Sequence, residues 1–233
     1  MRVVIRTFSE LCITVGAVIV LFVAYVLFWT GVKADTAMDD QIEQLQKQWA
    51  ESSATVEPDK STVTENPGAA LAKPAAYKDG KPFALMYIPR LGFTWNKPVL
   101  EGTKTKTLKK GLGHYASTAQ LGERGNFAVA GHRRTYGDPF KDFPRLRPGD
   151  PVVLTDGTTW FTYRIDTKPY RTLPGDTAVI DPVPKKSGYT REGRYLTLTT
   201  CEPEWGHSHR LIVWAHLDAT QPAEAGKPEA LRR

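Results

Sequence analysis

The chain has 233 residues, 41% of them hydrophobic and 24% charged, with 17 Pro and 19 Gly. That ordinary globular balance excludes wholesale disorder, a collagen-like fibre and a multi-span transporter. Lys plus Arg outnumber Asp plus Glu by 31 to 25, and a formal charge of +6 is too mild to name a partner by itself.

From Leu11 to Val32 there is no charge, a run of 22 residues that as a helix reaches about 33 Å and spans a bilayer. The apolar region of a cleaved signal peptide is shorter, about 7–15 residues, and a soluble core helix is rarely apolar on every face. The run is therefore predicted to be a retained transmembrane anchor at residues 11–32. Arg2 and Arg6 precede it and Asp35, Asp39 and Asp40 follow it, which places residues 1–10 in the cytoplasm and the rest of the chain outside the cell. Tyr25 and Trp29 suit an interfacial aromatic girdle.

Residues 33–79 are expected to form an extracellular stalk. Ile42, Leu45 and Trp49 have helical spacing, which fits either a short amphipathic extension of the anchor or a frayed, solvated helix. From Glu51 to Asp79 the sequence is rich in Ser, Thr, Pro and Ala and has too little apolar surface to fold. Residues 219–233 share that character and are expected to be a disordered tail.

Between Gly80 and Asp218 the composition shifts to β-formers punctuated by Gly and Pro. Strands are predicted at 83–89, 95–100, 126–132, 151–155, 158–166, 177–181, 194–201 and 210–217, and short helices at 105–111 and 139–146. In the strand at 194–201, Tyr195, Thr197 and Thr199 alternate with Leu196, Leu198 and Thr200, the pattern of a half-buried strand. About eight short strands in about 140 residues predict an all-β domain, a sandwich or a closed barrel. The domain carries 21 basic and 13 acidic residues, which suits an anionic neighbourhood such as a cell wall. Nucleic acid is not expected outside the membrane, and Lys104, Lys106, Lys109 and Lys110 read as a solvated helix face.

Only two cysteines are present. Cys12 lies in the membrane run and Cys201 outside it, so Cys201 is a lone thiol on an exported domain, either a reactive group or an inert buried residue. His132 and Arg210 also fall at predicted strand ends, and three such residues can converge on one rim of a barrel. Together they supply a thiol nucleophile, a proton carrier and a fixed cation for an oxyanion, the requirements of acyl transfer. A serine hydrolase reading lacks its Gly-x-Ser-x-Gly elbow. His207 and His209 could join Cys201 around zinc, but no fourth ligand has recognisable spacing. Glu101, Glu123 and Asp138 form no calcium loop. No metal or other cofactor is expected, and His216 reads as a packed or edge residue.

TLTTC, followed by a short loop and RLIVWAHL, with NFAVAGHRRTYGDPF some seventy positions upstream, resembles the sortases, the membrane-anchored cysteine transpeptidases of Gram-positive bacteria. The stretch from Gly113 to Phe140 and the TLTTCxP form are most similar to class E members from actinobacteria. The resemblance covers residues 80–218 and implies a closed eight-stranded β-barrel, with Cys201 as nucleophile, His132 as general acid/base and Arg210 as transition-state stabiliser. It implies as partners surface proteins with a C-terminal LPxTG-type sorting signal, in class E one of the LAxTG form. The signal would be cleaved between Thr and Gly through a thioacyl-enzyme and passed to an amine of a peptidoglycan precursor or a pilin. It also implies a supporting substrate-side role for His114 and a place for Tyr115 near the substrate groove. The alternative from another class is a non-catalytic cell-wall-binding barrel with a structural Cys201.

Overall fold

In the computed structural model, which describes residues 2–54 and 76–232, the anchor run is part of one long helix, α1 (Arg2–Ala54). Its segment Val4–Tyr25 is long and apolar enough to cross a membrane, and none of it is buried against the rest of the chain. No Gly or Pro interrupts the sequence between Val32 and Ala54, and the Ala, Gln, Glu and Lys that fill it are good helix formers. Glu43 and Lys47 pair one turn apart at 2.6 Å. Of the two readings of residues 33–50, the structure has the packed helix rather than the frayed one: Ala34, Met38 and Leu45 are buried, the first two beside Gly137, and α1 runs against the barrel strands β1 (Pro82–Tyr87) and β2 (Asn96–Glu101). Much of the expected Glu51–Asp79 stalk lies outside the described residues. Its last residues already belong to the domain, with Tyr77 stacked on Phe83 at 3.7 Å and Asp79 bridged to Glu101.

The remaining strands are β3 (Leu112–His114), β4 (Gly125–Ala130), β5 (Pro151–Thr155), β6 (Thr159–Ile165), β7 (Tyr170–Thr172), β8 (Arg194–Glu202) and β9 (His209–Pro222). They form one sheet in the order β6-β5-β1-β2-β3-β4-β8-β9, and β9 pairs back onto β6 to close an eight-stranded barrel. β7 lies outside that ring on β9, and the pairs β2–β3 and β4–β8 are parallel. Closure depends on the length of β9. Its first half pairs with β8 and its second half with β6, through Ala215↔Ile165 to Pro222↔Thr159. The segment expected to be a disordered tail thus begins as strand, because β6 would otherwise keep an open edge of unpaired backbone groups; further on, Pro228 is buried. Phe127, Phe140, Phe143 and Tyr163 fill the barrel together with Leu, Val and Ile side chains.

Three other expectations are corrected. Residues 177–181 are not a strand: Thr177–Ile180 is a 3-10 turn, hemmed in by Pro174-Gly175 and Pro182. β8 is buried on both faces from Tyr195 to Thr200, because that turn lies over its outer side. Trp214 Nε1 donates to Val179 O at 2.9 Å, and Val179 packs with Ile212 and Trp214 while Leu196 and Leu198 face the barrel interior. The predicted helices shrink to α2 (Thr105–Leu108) and a 3-10 turn at Phe143–Arg145. β3 and β7, three residues each, are too short to show a period in sequence.

Candidate active site

The parallel register of β4 on β8 ends at Ala130↔Thr199. It is carried on by Gly131, whose N–H donates to Thr199 O at 3.1 Å and whose carbonyl accepts from Thr200 Oγ1 at 2.8 Å. Two residues beyond Ala130 and Thr199, His132 and Cys201 come level. On the other side of β8, Cys201 is the register partner of Arg210. Neighbouring strands are about 4.8 Å apart, so the backbone of Cys201 runs about one strand spacing from that of Arg210 on one side, and on the other it comes level with the chain that carries His132. Gly131 permits this: a Cβ there would lie 2.5 Å from Phe140 and 2.7 Å from Leu112.

His132 is half-buried and its Nε2 has no hydrogen-bond partner among the described residues. Burial pushes its pKa below the usual imidazole value, the Lys109 charge adds to this, and Asp138 opposes it. The ring is therefore neutral at pH 7 and can accept a proton. Since folding disfavours the imidazolium, this contribution to stability is present above about pH 6.5, the unfolded value, and is lost as the pH falls through the lowered folded value. Lys109 Nζ lies 4.8 Å from the centroid of Tyr136, whose ring is 5.2 Å from that of His132. Lys109→Gln is expected to raise the pKa of His132, read by NMR titration of the imidazole, with a difference that shrinks at high salt. An unchanged titration removes Lys109 from the electrostatics of the site.

Arg210 Nη1 donates to His207 O at 3.0 Å and to His209 O at 2.9 Å, which anchors one end of the guanidinium to its own loop. The side chain borders a cavity of about 80 Å³ that is also lined by Tyr115, Thr199, Leu173, Ile180 and Ile212. Tyr115 Oη lies 3.1 Å from Thr199 Oγ1, on the face of β8 that also carries Cys201.

His114, for which the resemblance implied a supporting substrate-side role, is not among the residues that line this groove. It is 2% exposed, and its Nδ1 lies 2.6 Å from Glu101 Oε2. Its Nε2 is 3.0 Å from Ala119 O and 3.1 Å from Thr118 Oγ1, and its ring stacks on Phe127. Consecutive residues of an extended chain point to opposite sides, so His114 faces inward and Tyr115 outward. His207 is exposed, and His209 Nδ1 lies 3.1 Å from Arg171 Nη2 and 3.0 Å from Ser208 Oγ. His216 Nδ1 meets both oxygens of Asp166 at 2.9 Å. Among the described residues no three His, Cys, Asp or Glu groups converge as a metal site.

Sequence reasoning passed over the ion pairs directly behind the site. Arg133 pairs with Glu202, and Arg134 pairs with Glu204 and Asp138. The loop after His132 is thereby tied to the loop after Cys201. The available signal was two Arg after the histidine and two Glu after the cysteine. A second tether holds the groove wall, where Asp176 accepts from Lys186 at 2.6 Å and also from Thr172; Lys186, then Thr172, lowers the pKa of Asp176.

Comparison with known proteins fits this architecture. Residues 86–218 match the family described as Sortase domain. The chain is 37% identical over 233 residues to Sortase SrtE1 of Streptomyces coelicolor, a match covering 97% of this chain but only 60% of that relative's length. The solved structure of sortase E from Streptomyces avermitilis is 82% identical with a TM-score of 0.64, covering 67% of this chain and all of that one. Sortase E1 from Streptomyces coelicolor, solved with a tripeptide in the active site, is 41% identical with a TM-score of 0.62, over 66% of this chain and 98% of that one. The family match spans more than half of the sequence and takes in Cys201, His132 and Arg210 on the barrel these relatives share, so this chain belongs to the sortase family.

Proposed function

We propose that this chain is a membrane-anchored cysteine transpeptidase with its barrel outside the cell, acting on surface proteins that end in an LAxTG- or LPxTG-type signal. The observation that carries this reading is the placement of Cys201 between His132 and Arg210 beside a groove. The tripeptide in the active site of the Streptomyces coelicolor relative supports a peptide as occupant. Orientation rests on Arg2 and Arg6 before the apolar run and the acidic residues after it.

In the first half-reaction the Cys201 thiol passes its proton to His132 and the sulfur attacks the Thr carbonyl of the signal. The oxyanion that forms faces Arg210. Collapse breaks the Thr–Gly C–N bond, His132 returns the proton to the leaving amine, and a thioester remains on Cys201. In the second, an amine of a peptidoglycan precursor or pilin attacks the thioester, gives its proton to His132, and releases the cysteine, which is reprotonated.

The test is cleavage of LAxTG and LPxTG peptides with and without an added amine. Amine-dependent ligation of the N-terminal fragment is expected, and hydrolysis alone would identify a protease instead. The same assay addresses Tyr115. A phenol held by Thr199 at the groove can accept the backbone N–H that an Ala signal offers and a Pro signal lacks. A buried hydrogen bond left unmade costs about 1–3 kcal/mol, roughly a 5- to 150-fold preference. Tyr115→Phe is expected to lower the LAxTG:LPxTG ratio of kcat/KM within that range. A ratio that moves only in Tyr115→Leu would assign the selectivity to ring shape.

A further inference from the structure

The loop between Cys201 and Arg210 carries Trp205, which is 72% exposed although it is among the largest apolar side chains of the domain. It is not free to wander. The Arg134 guanidinium lies 4.4 Å from its ring centroid, and Arg134 is itself held by Glu204 and Asp138, so at this point the loop presents an aromatic face over a neutralised cation.

The anchor helix sets the height of this loop. A cavity of about 250 Å³ is lined by Gly31 and Asp35 of α1, by Tyr136, Gly137 and Asp138 of the loop after His132, and by Trp205. At Gly137, where φ is +77°, a Cβ would come within 2.3 Å of Met38 Cε and 2.8 Å of Asp35 Oδ1. Thr135, Tyr136 and Asp138 share the left-handed conformation, so the loop is bent tightly onto the helix at residues 34–38. Farther along, Trp49 packs where a Cβ on Gly157 would stand. The catalytic rim is thus at the membrane-proximal end of the barrel and the β5–β6 turn at the distal end.

The outer edge of the hydrocarbon lies between Tyr25, the end of the apolar window, and Lys33, the first charge after it. Gly31 is therefore no more than six residues, about 9 Å of helix, beyond that edge. The headgroup layer is about 5–7 Å deep on each side, and Trp is enriched at that level because its ring is apolar and its N–H polar. Tyr25 and Trp29, stacked at 5.9 Å and both exposed, stand just below.

We propose that Trp205 is seated in the outer headgroup layer of the lipid bilayer, so that the groove beside Cys201 opens at the membrane surface. This rests on the reading of α1 as a retained anchor.

The full chain, reconstituted in phosphatidylcholine–phosphatidylglycerol vesicles with or without a headgroup nitroxide, provides the test. The emission of Trp205 is the difference between wild type and Trp205→Phe, and that of Trp29 the difference between wild type and Trp29→Phe. Trp205 is expected to be quenched at least half as strongly as Trp29. If the protein floats with the vesicles and Trp29 is quenched while Trp205 is not, the proposal is overturned and the anchor stands. If the protein does not float with the vesicles, both fall. Quenching of Trp205 relieved by a signal peptide but not by unlabelled lipid would make that indole a substrate contact and would also overturn the proposal.

Discussion

Replacing Cys201 with alanine is expected to lower product formation by at least about 10⁴-fold, below detection, while the barrel stays folded. The rate expectation follows from loss of the covalent step: with no sulfur there is no thioester, and removing a nucleophile costs far more than the binding and electrostatics that remain can supply. The stability expectation follows from the position. Cys201 is only partly buried, and the ladder on either side of it, Thr200↔Leu211 and Glu202↔His209, is made by backbone groups the substitution leaves intact. The loss should be about 1 kcal/mol or less, as for substitutions away from packed cores. Peptide cleavage and a thermal melt check the two halves separately. Activity near that of wild type would end the transpeptidase reading, and a lost melting transition would make Cys201 a structural residue.

Arg210→Ala is expected to lower kcat/KM by about 10²–10³, the range for loss of one oxyanion donor, and Arg210→Lys to recover only part of it. The geometry explains the partial rescue. Arg210 spends the two hydrogens of Nη1 on the carbonyls of His207 and His209, which leaves the donors of Nη2 and Nε for a substrate oxygen. A lysine has three donors on a single atom. It can hold those carbonyls or reach an oxyanion, but has no rigid fork with which to do both. The loss should fall mainly on kcat, because the charge being stabilised develops in the transition state. If Arg210→Lys matches wild type, charge alone suffices and the fork has no role. A change confined to KM would make Arg210 a ground-state substrate contact.

The residue types of the site were legible because chemistry restricts them. A lone thiol on a domain read as exported, a histidine at one strand end and an arginine at another are few enough to single out as candidates without coordinates. Tyr115 and His114 show the limit. They are adjacent in sequence, yet period two sends one to the groove and the other onto Glu101 inside the barrel, and β3 is too short for that period to be read. The pairs Arg133–Glu202 and Arg134–Glu204 were equally hidden, since charges in a loop read as solvated until a partner strand brings the opposite charge alongside.

Local pattern, then, determined the apolar run and most of the strands and singled out Cys201, His132 and Arg210 as candidates, because burial periodicity and side-chain chemistry act over a few residues. The tertiary structure decided what depends on register between distant segments. β4 meets β8 in parallel through residues 69 apart, and this brings His132 level with Cys201. β9 outruns its predicted end to pair with β6 and close the barrel. The helix beyond the anchor lies against the barrel because Ala34, Met38 and Leu45 find apolar surface there, a partner that no local window of sequence contains. Each of these contacts fixes its residues only by bringing separate parts of the chain together, so its free energy belongs to the pair of segments and not to either one.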